Sequence, residues 1–357
     1  MKKIFLAVAV ITTIVACKKD NKQENVVGKN DAGQELVVDE KGDTIVKTEA
    51  TDTIAKPLEM AENTAVKKNE DNTFDFRYNL EKGKTYPITL SVKVNQTASD
   101  GTKSIKASNE NKKKIEYLVT DVKDGVFTLE VKSKQYSEKI TDPEGNSYSY
   151  DTNASKPTNK DLAFSWTIYK GMIDKPYTMK VDKNGKVLSV TGLDAIRKQI
   201  EDAVKKQLTA EEQKFISEML KNSLSQQAIS AQFEETMNIF PDKKLKLNES
   251  WSDNQKIDQG PMKGNSNLTR TLSSVDTNNT KITVKGGQNI KGSETNQGMT
   301  MSMNLNADVN GSIVLDTKSG WINNVSLTKK ETSKRTMEMN GQKQTMTETN
   351  TTTTTVN

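Results

Sequence analysis

Residues 299–309 read Met-Thr-Met-Ser-Met-Asn-Leu-Asn-Ala-Asp-Val, with an apolar side chain at every second position. Alternation of period two places all six apolar side chains on one face of a strand; a helix repeats its apolar positions every three or four residues. The same signal recurs along the chain. Phe74, Phe76, Tyr78 and Leu80 alternate. Tyr117 to Val122 and Val126 to Val131 flank Lys123-Asp124-Gly125, while Tyr177 to Val181 and Val187 to Val190 flank Lys183-Asn184-Gly185. Asp-Gly and Asn-Gly accept the positive φ angles of tight hairpins, and Asn340-Gly341 marks another such turn.

One stretch departs from this pattern. Leu193, Ile196, Ile200 and Val204 share a helical face. Thr209 with Glu212 makes a capping box ahead of Phe215, Ile216, Met219 and Leu220. A third helix presents Ile229, Phe233, Met237 and Phe240, and Pro241 stops it. Around these helices, landmarks recur in order: Leu80 and Tyr86 match Leu245 and Trp251, Val122 and Val131 match Val275 and Val284, and Asp182 and Gly185 match Asp316 and Gly320. The expected fold is α+β, mainly antiparallel β. Two similar curved half-sheets arise by internal duplication (about 73–192 and 241–355), with a three-helix insert (about 193–240) between them.

The chain begins with Lys2 and Lys3, then a mostly apolar run from Ile4 to Val15. A dozen apolar residues are too few to span a bilayer, so residues 1–16 read as a signal peptide. Ile14-Val15-Ala16-Cys17 matches the lipobox of bacterial lipoproteins. That resemblance implies cleavage between Ala16 and Cys17, diacylglycerol on the Cys17 sulfur and further acylation such as palmitate. Each buried methylene contributes about 0.8 kcal/mol, so two or three chains anchor the protein stably. The expected location is the cell envelope, as an outer-membrane lipoprotein facing the periplasm or the cell surface. Cys17 is the only cysteine, which excludes a disulfide within the chain.

Residues 17–72 read as the lipidated cysteine and a disordered tether. From Lys18 to Asn72 there are nine Lys and thirteen acidic residues, a net charge of −4, and no aromatic residue. The mature chain, without Lys2 and Lys3, carries +3, so the folded part (73–357) carries +7. A coil of this length reaches about 40 Å. Asp43-Thr44-Ile45 and Asp52-Thr53-Ile54 resemble the O-glycosylation site of Bacteroidota, which makes Thr44 and Thr53 candidate glycan positions.

Two stretches, Leu80-Glu-Lys-Gly-Lys-Thr-Tyr86 and Phe240-Pro241-Asp242 with Leu247-Asn248-Glu249-Ser250-Trp251, are similar to an uncharacterised family of Bacteroidota lipoproteins of unknown function. The strand, Asp, turn, Gly, strand unit resembles the half-barrel lipoprotein carriers of the LolA and LppX type. That likeness implies a curved sheet holding acyl chains against helices, and it supplies no functional residues.

Chemistry is bounded by absence in the sequence. With no histidine anywhere, a Ser-His-Asp triad, a histidine zinc site and histidine acid–base catalysis are excluded. No G-x-x-x-x-G-K-[ST] run occurs, and no G-x-G-x-x-G follows a strand. Aromatics make up 5%, few for a sugar cleft, so the expectation is no enzyme and no cofactor. Met299, Met301, Met303 and Leu305, with Met337 and Met339 nearby, allow three readings: an ordinary core face, a compliant apolar cavity for a lipid-like ligand, or soft-metal binding through thioethers. The cavity between sheet and helices is the functional expectation adopted, with no metal. The alternative is a structural or interaction lipoprotein with a filled core. Lys112-Lys113-Lys114 reads as a solvated strand end, with no nucleic-acid partner expected. Trp166, Trp251 and Trp321 read as core, and Thr351 to Thr355 as a frayed edge strand or a disordered end.

Overall fold

In the computed structural model of the chain, the described residues are 64–296 and 299–357, together with three short strands nearer the N-terminus. Those strands, β1 (Val26–Lys29), β2 (Glu35–Val38) and β3 (Thr44–Val46), form an antiparallel sheet of their own. Disorder was expected here; clusters of β-branched residues such as Val26-Val27 and Val37-Val38 suffice for short ladders. Thr44 lies in β3. Residues 1–16, expected to be a signal peptide, lie outside the described residues, as do Cys17 and Thr53.

Ordered pairing begins ahead of residue 73. β4 (Val66–Lys68) pairs with β5 (Phe74–Phe76), and Ala65 and Val66 are fully buried. Their backbone N–H groups donate to Lys318 O at 2.9 Å and Thr317 O at 3.1 Å, so the ordered domain includes residue 64. After β5 the order is β6 (Thr85–Ser99), β7 (Ser104–Lys123), β8 (Val126–Thr141), β9 (Ser147–Asp151), α1 (Lys160–Lys170), β10 (Tyr177–Asp182) and β11 (Val187–Thr191). Then come α2 (Leu193–Val204), α3 (Ala210–Ser223), α4 (Gln226–Met237), β12 (Ser250–Gln259), β13 (Met262–Val275), β14 (Asn279–Asn296), β15 (Met299–Asp316), β16 (Ile322–Met339) and β17 (Gln342–Val356).

Twelve of these strands make one open antiparallel sheet in the order β11-β10-β8-β7-β6-β17-β16-β15-β14-β13-β12, with β9 attached to β8. The last strand pairs with β6, so the C-terminus closes the middle of the sheet and Val356 is 1% exposed. The threonine-rich tail is therefore a central strand, not a frayed end. Its β-branched residues suit a pleated backbone with partners on both sides. Lys112 to Lys114 likewise lie within β7, not at its end.

The hairpin turns fall where expected. Asp124 and Gly125 have φ of 52° and 74°, and Asn340 and Gly341 have 51° and 77°. The capping box at Thr209 and Glu212 is formed, and α2 buries Leu193, Ile196, Ile200 and Val204. Two details differ. Helix α1 stands in the first half of the chain where no helix was expected, so the described domain has four helices. On α3 only Ile216 and Leu220 are buried, while Phe215 is 67% exposed.

Candidate functional site

Register assigns every strand residue to one of two faces. One face, here called inner, carries Tyr86 and Ile88 on β6, Tyr117 and Ile115 on β7, Val325 on β16 and Ile313 and Leu315 on β15, all buried. Helix α4 packs on it. Tyr117 and Phe233 lie 5.7 Å apart at their ring centroids, and Tyr117 meets Trp321 at 5.3 Å. Tyr78 donates its hydroxyl to Met237 O at 2.6 Å and sits 4.7 Å from the Phe240 ring. The space beneath α4 is thus filled with aromatics. Trp321 is core, at 4% exposure; Trp166 and Trp251 are half-buried, and Trp166 donates to Asp151 O at 3.0 Å.

Further along the strands the inner face becomes polar. Lys329 and Glu331 pair at 2.7 Å, each less than a fifth exposed. Gln96 and Asn350 donate to Glu348 at 2.6 and 3.1 Å, while Asn109 and Tyr150 donate to Glu138 at 2.8 and 2.9 Å. Burial raises the pKa of the Glu235 carboxyl on α4, with nearby Lys329 opposing the shift. Burial lowers the pKa of the Lys113 ammonium.

Among the described residues, the buried side-chain polar atoms without a partner are Asn109 Oδ1, Asn350 Oδ1, Gln255 Nε2 and Arg270 Nε. Register puts all four on the inner face. Each Asn gives its amide N–H to a glutamate, which fixes the flip and leaves the oxygen as the unmatched atom. Buried polar atoms left without a partner are costly, and two of these four, the Asn109 and Asn350 oxygens, are acceptors.

The far end of the same face is apolar again. Met299, Met301, Met303, Leu305, Ala307 and Val309 follow one another on it. Leu305, Ala307 and Val309 are buried, but Met301 is 48% exposed, with Met337 at 41% and Met339 at 54%. Exposure of this size does not fit a filled core. Met301 lies fourteen residues from the buried Leu315, about 45 Å along a strand. On this face the neighbouring strands approach one another closely. Cβ atoms built at Gly264, Gly286 and Gly311, all on this face, would fall 2.0, 2.3 and 2.0 Å from carbonyl oxygens of the neighbouring strand. Glycine inside a strand marks such a close backbone approach.

Apart from Val314, the outer face of β15 is polar, as are its neighbours Lys281 to Lys291 on β14. A groove of about 750 Å³ opens over outer-face asparagines, including Asn254, Asn265, Asn267, Asn289 and Asn306. None of the six residues expected to line an apolar cavity borders that groove. Among the described residues, no three His, Cys, Asp or Glu side chains gather as a metal site, and no helix is long and apolar enough to cross a membrane.

The domain is mainly antiparallel β, one open sheet whose inner face is aromatic beneath α4 and polar further along. A profile described as a family of unknown function, DUF6263, matches residues 124–322, more than half of the chain, and the protein belongs to that family. No curated protein matches it. Among solved structures it is similar to a chain described as "lipid-protein interactions in lipovitellin", at 11% identity and a TM-score of 0.37, over 77% of this chain and 25% of that one. The protein thus spans about a quarter of that relative's length. Pseudomonas aeruginosa OccK5 (8% identity, TM-score 0.20, 77% and 98% covered) and Salmonella typhi OmpF (6%, 0.19, 80% and 99%) are more distant. At these scores the likenesses carry no argument about function.

Proposed function

We propose that this is a non-enzymatic envelope lipoprotein, cleaved before Cys17 and lipid-anchored there, whose inner sheet face binds a lipid-like amphiphile. The observation that carries the reading is the order of surfaces on that one face: a filled aromatic base, a polar belt with unmatched buried acceptors, and an apolar outer stretch from Val309 to Met299. An amphiphile places its headgroup in the belt and its tail along Leu305, Met303 and Met301. Methionine surfaces adapt to varied tails. The ligand site sits beyond the helices, because the aromatic packing fills the space beneath α4.

Other parts of the reading have their own support. The +7 charge of the folded part and the −4 tether suit a protein held near, but clear of, anionic headgroups. Internal duplication is supported by strand order, since β12 to β16 and β6 to β11 advance across the sheet in the same direction, joined by β17. That arrangement suits a half-barrel lipid carrier. Thr44 and Thr53 remain candidate glycan sites on the tether.

The test is native mass spectrometry of the full chain purified from its cells, followed by solvent extraction. A co-purifying amphiphile at about one per chain, lost in Met301→Asp/Met303→Asp, is the expected result. A clean apo mass with no uptake from a lipid mixture rejects ligand binding and leaves the structural or interaction role.

A further inference from the structure

Seven of the thirteen methionines fall on one patch of the inner face, across five neighbouring strands. Register pairs Met299 with Met339 and Met301 with Met337 directly across β15 and β16. One row further in, Met262 on β13, Gly292 on β14, Met303 on β15, Arg335 on β16 and Met346 on β17 follow in line. The glycine matters here. A Cβ built at Gly292 would stand 2.5 Å from Met262 Sδ, so the missing side chain leaves the space that this sulfur occupies, on the side facing Met303.

Core packing does not explain the grid, because Met301, Met337, Met339 and Met346 are each more than 40% exposed. A general need for apolar surface does not explain the choice of residue either. Leu, Ile or Val would serve a strand as well or better, yet at these positions the chain uses unbranched thioethers. Opposed residues stand roughly 5 Å apart at Cβ and successive same-face rows roughly 7 Å apart. Methionine has three rotatable side-chain bonds, so three or four sulfurs of a two-by-two array can turn to one point.

We propose that Met299, Met301, Met337 and Met339, with Met303 beside them, form a thioether site for a soft monovalent cation, Cu(I) or Ag(I). Thioethers are soft and uncharged. They favour Cu(I) over harder ions, and they offer a divalent ion no charge compensation. Histidine is absent from the chain and the single cysteine is far from the patch in sequence, so the soft donors there are thioethers alone; Glu294, opposite Met301, is a hard donor that Cu(I) disfavours. This proposal stands apart from amphiphile binding, although both use the same stretch of sheet.

The experiment is a competition titration of the full chain, carrying Cys17→Ser so that no thiolate takes part, against Cu(I) held by bicinchoninate under anaerobic conditions. The parent is expected to withdraw one Cu(I) per chain. Met301→Leu/Met337→Leu should weaken this at least tenfold, while Met219→Leu on α3 leaves it unchanged. X-ray absorption of the loaded protein should show sulfur neighbours alone. Leucine preserves the apolar surface, so the double variant keeps any bound amphiphile, and the two proposals fail separately. If circular dichroism shows that this pair misfolds, Met299→Leu/Met339→Leu takes its place. No transfer to the parent, equal transfer to the leucine variants, or a nitrogen or oxygen shell overturns the site.

Discussion

Gly311→Ala tests the close approach of β15 and β16, because two views of this glycine predict opposite signs. In a flat strand, alanine would stabilise the protein by roughly 0.5–1 kcal/mol by reducing the entropy of the unfolded chain. In this structure the new Cβ lies 2.0 Å from Ser326 O and 2.8 Å from Leu327 Cα, both backbone atoms that cannot rotate away. β16 must withdraw about 1 Å to bring the first contact to 3.0 Å, the limit that real Cβ atoms respect. That movement loosens the two ladder bonds beside it, at about 1 kcal/mol each. Local overpacking adds about 1–3 kcal/mol. After subtracting the alanine gain, the expected loss is about 2–4 kcal/mol. With a urea m-value of about 3 kcal/mol/M, the midpoint falls by about 1 M. Gly287→Ala, whose Cβ would meet Ala307 O at 3.0 Å, is the milder control and should shift less. A neutral or stabilised Gly311→Ala protein refutes the close approach of β16 to this glycine.

Other outcomes follow from single groups. Tyr78→Phe removes the 2.6 Å bond to Met237 O beneath α4 and leaves that carbonyl buried without its donor, at a cost of about 1–3 kcal/mol in chemical denaturation. Glu235 holds its proton more tightly in the folded state than in the unfolded one. Its contribution is therefore full below the unfolded value of about 4.3 and is lost as pH rises through the folded pKa. Glu235→Gln should match the parent in acid and become the more stable of the two toward neutral pH; a difference independent of pH contradicts this. Cys17→Ser should move the protein from the detergent-rich to the aqueous phase in a phase-partition assay, and continued membrane retention contradicts the lipid anchor.

Much of the fold was legible because local chemistry decides it. Asp124-Gly125, Asn184-Gly185 and Asn340-Gly341 set their hairpins, and the period-3.6 stripe of α2 appears in the structure residue for residue. Helix α1 escaped because Lys160–Lys170 has no buried residue and mixes aromatic and β-branched side chains, so it carries no stripe to read. The Thr351–Thr355 tail was misplaced because its faces are alike in polarity, and only pairing with β6 and β16 makes it central. The Met299–Val309 face was read correctly as a face, but its exposure was not. Exposure depends on where the helices end and how closely the strands approach, and both are non-local. One signal for close strand approach was in the sequence: Gly264, Gly286, Gly292 and Gly311 interrupt otherwise regular strands. The polar belt was missed because its members come from distant strands, as Gln96 and Glu348, 252 residues apart, do.

Ligand binding on the inner face is tested most directly by two adjacent cysteines on β17. Thr352 lies opposite Lys329 and Val94 on the inner face, and Thr351 points to the outer face. Each is changed to Cys in a Cys17→Ser background, labelled with an environment-sensitive fluorophore, and exposed to a lipid extract of the producing cells. The account predicts a blue shift at position 352 and none at 351. Equal responses at both positions, or none at either, contradict it.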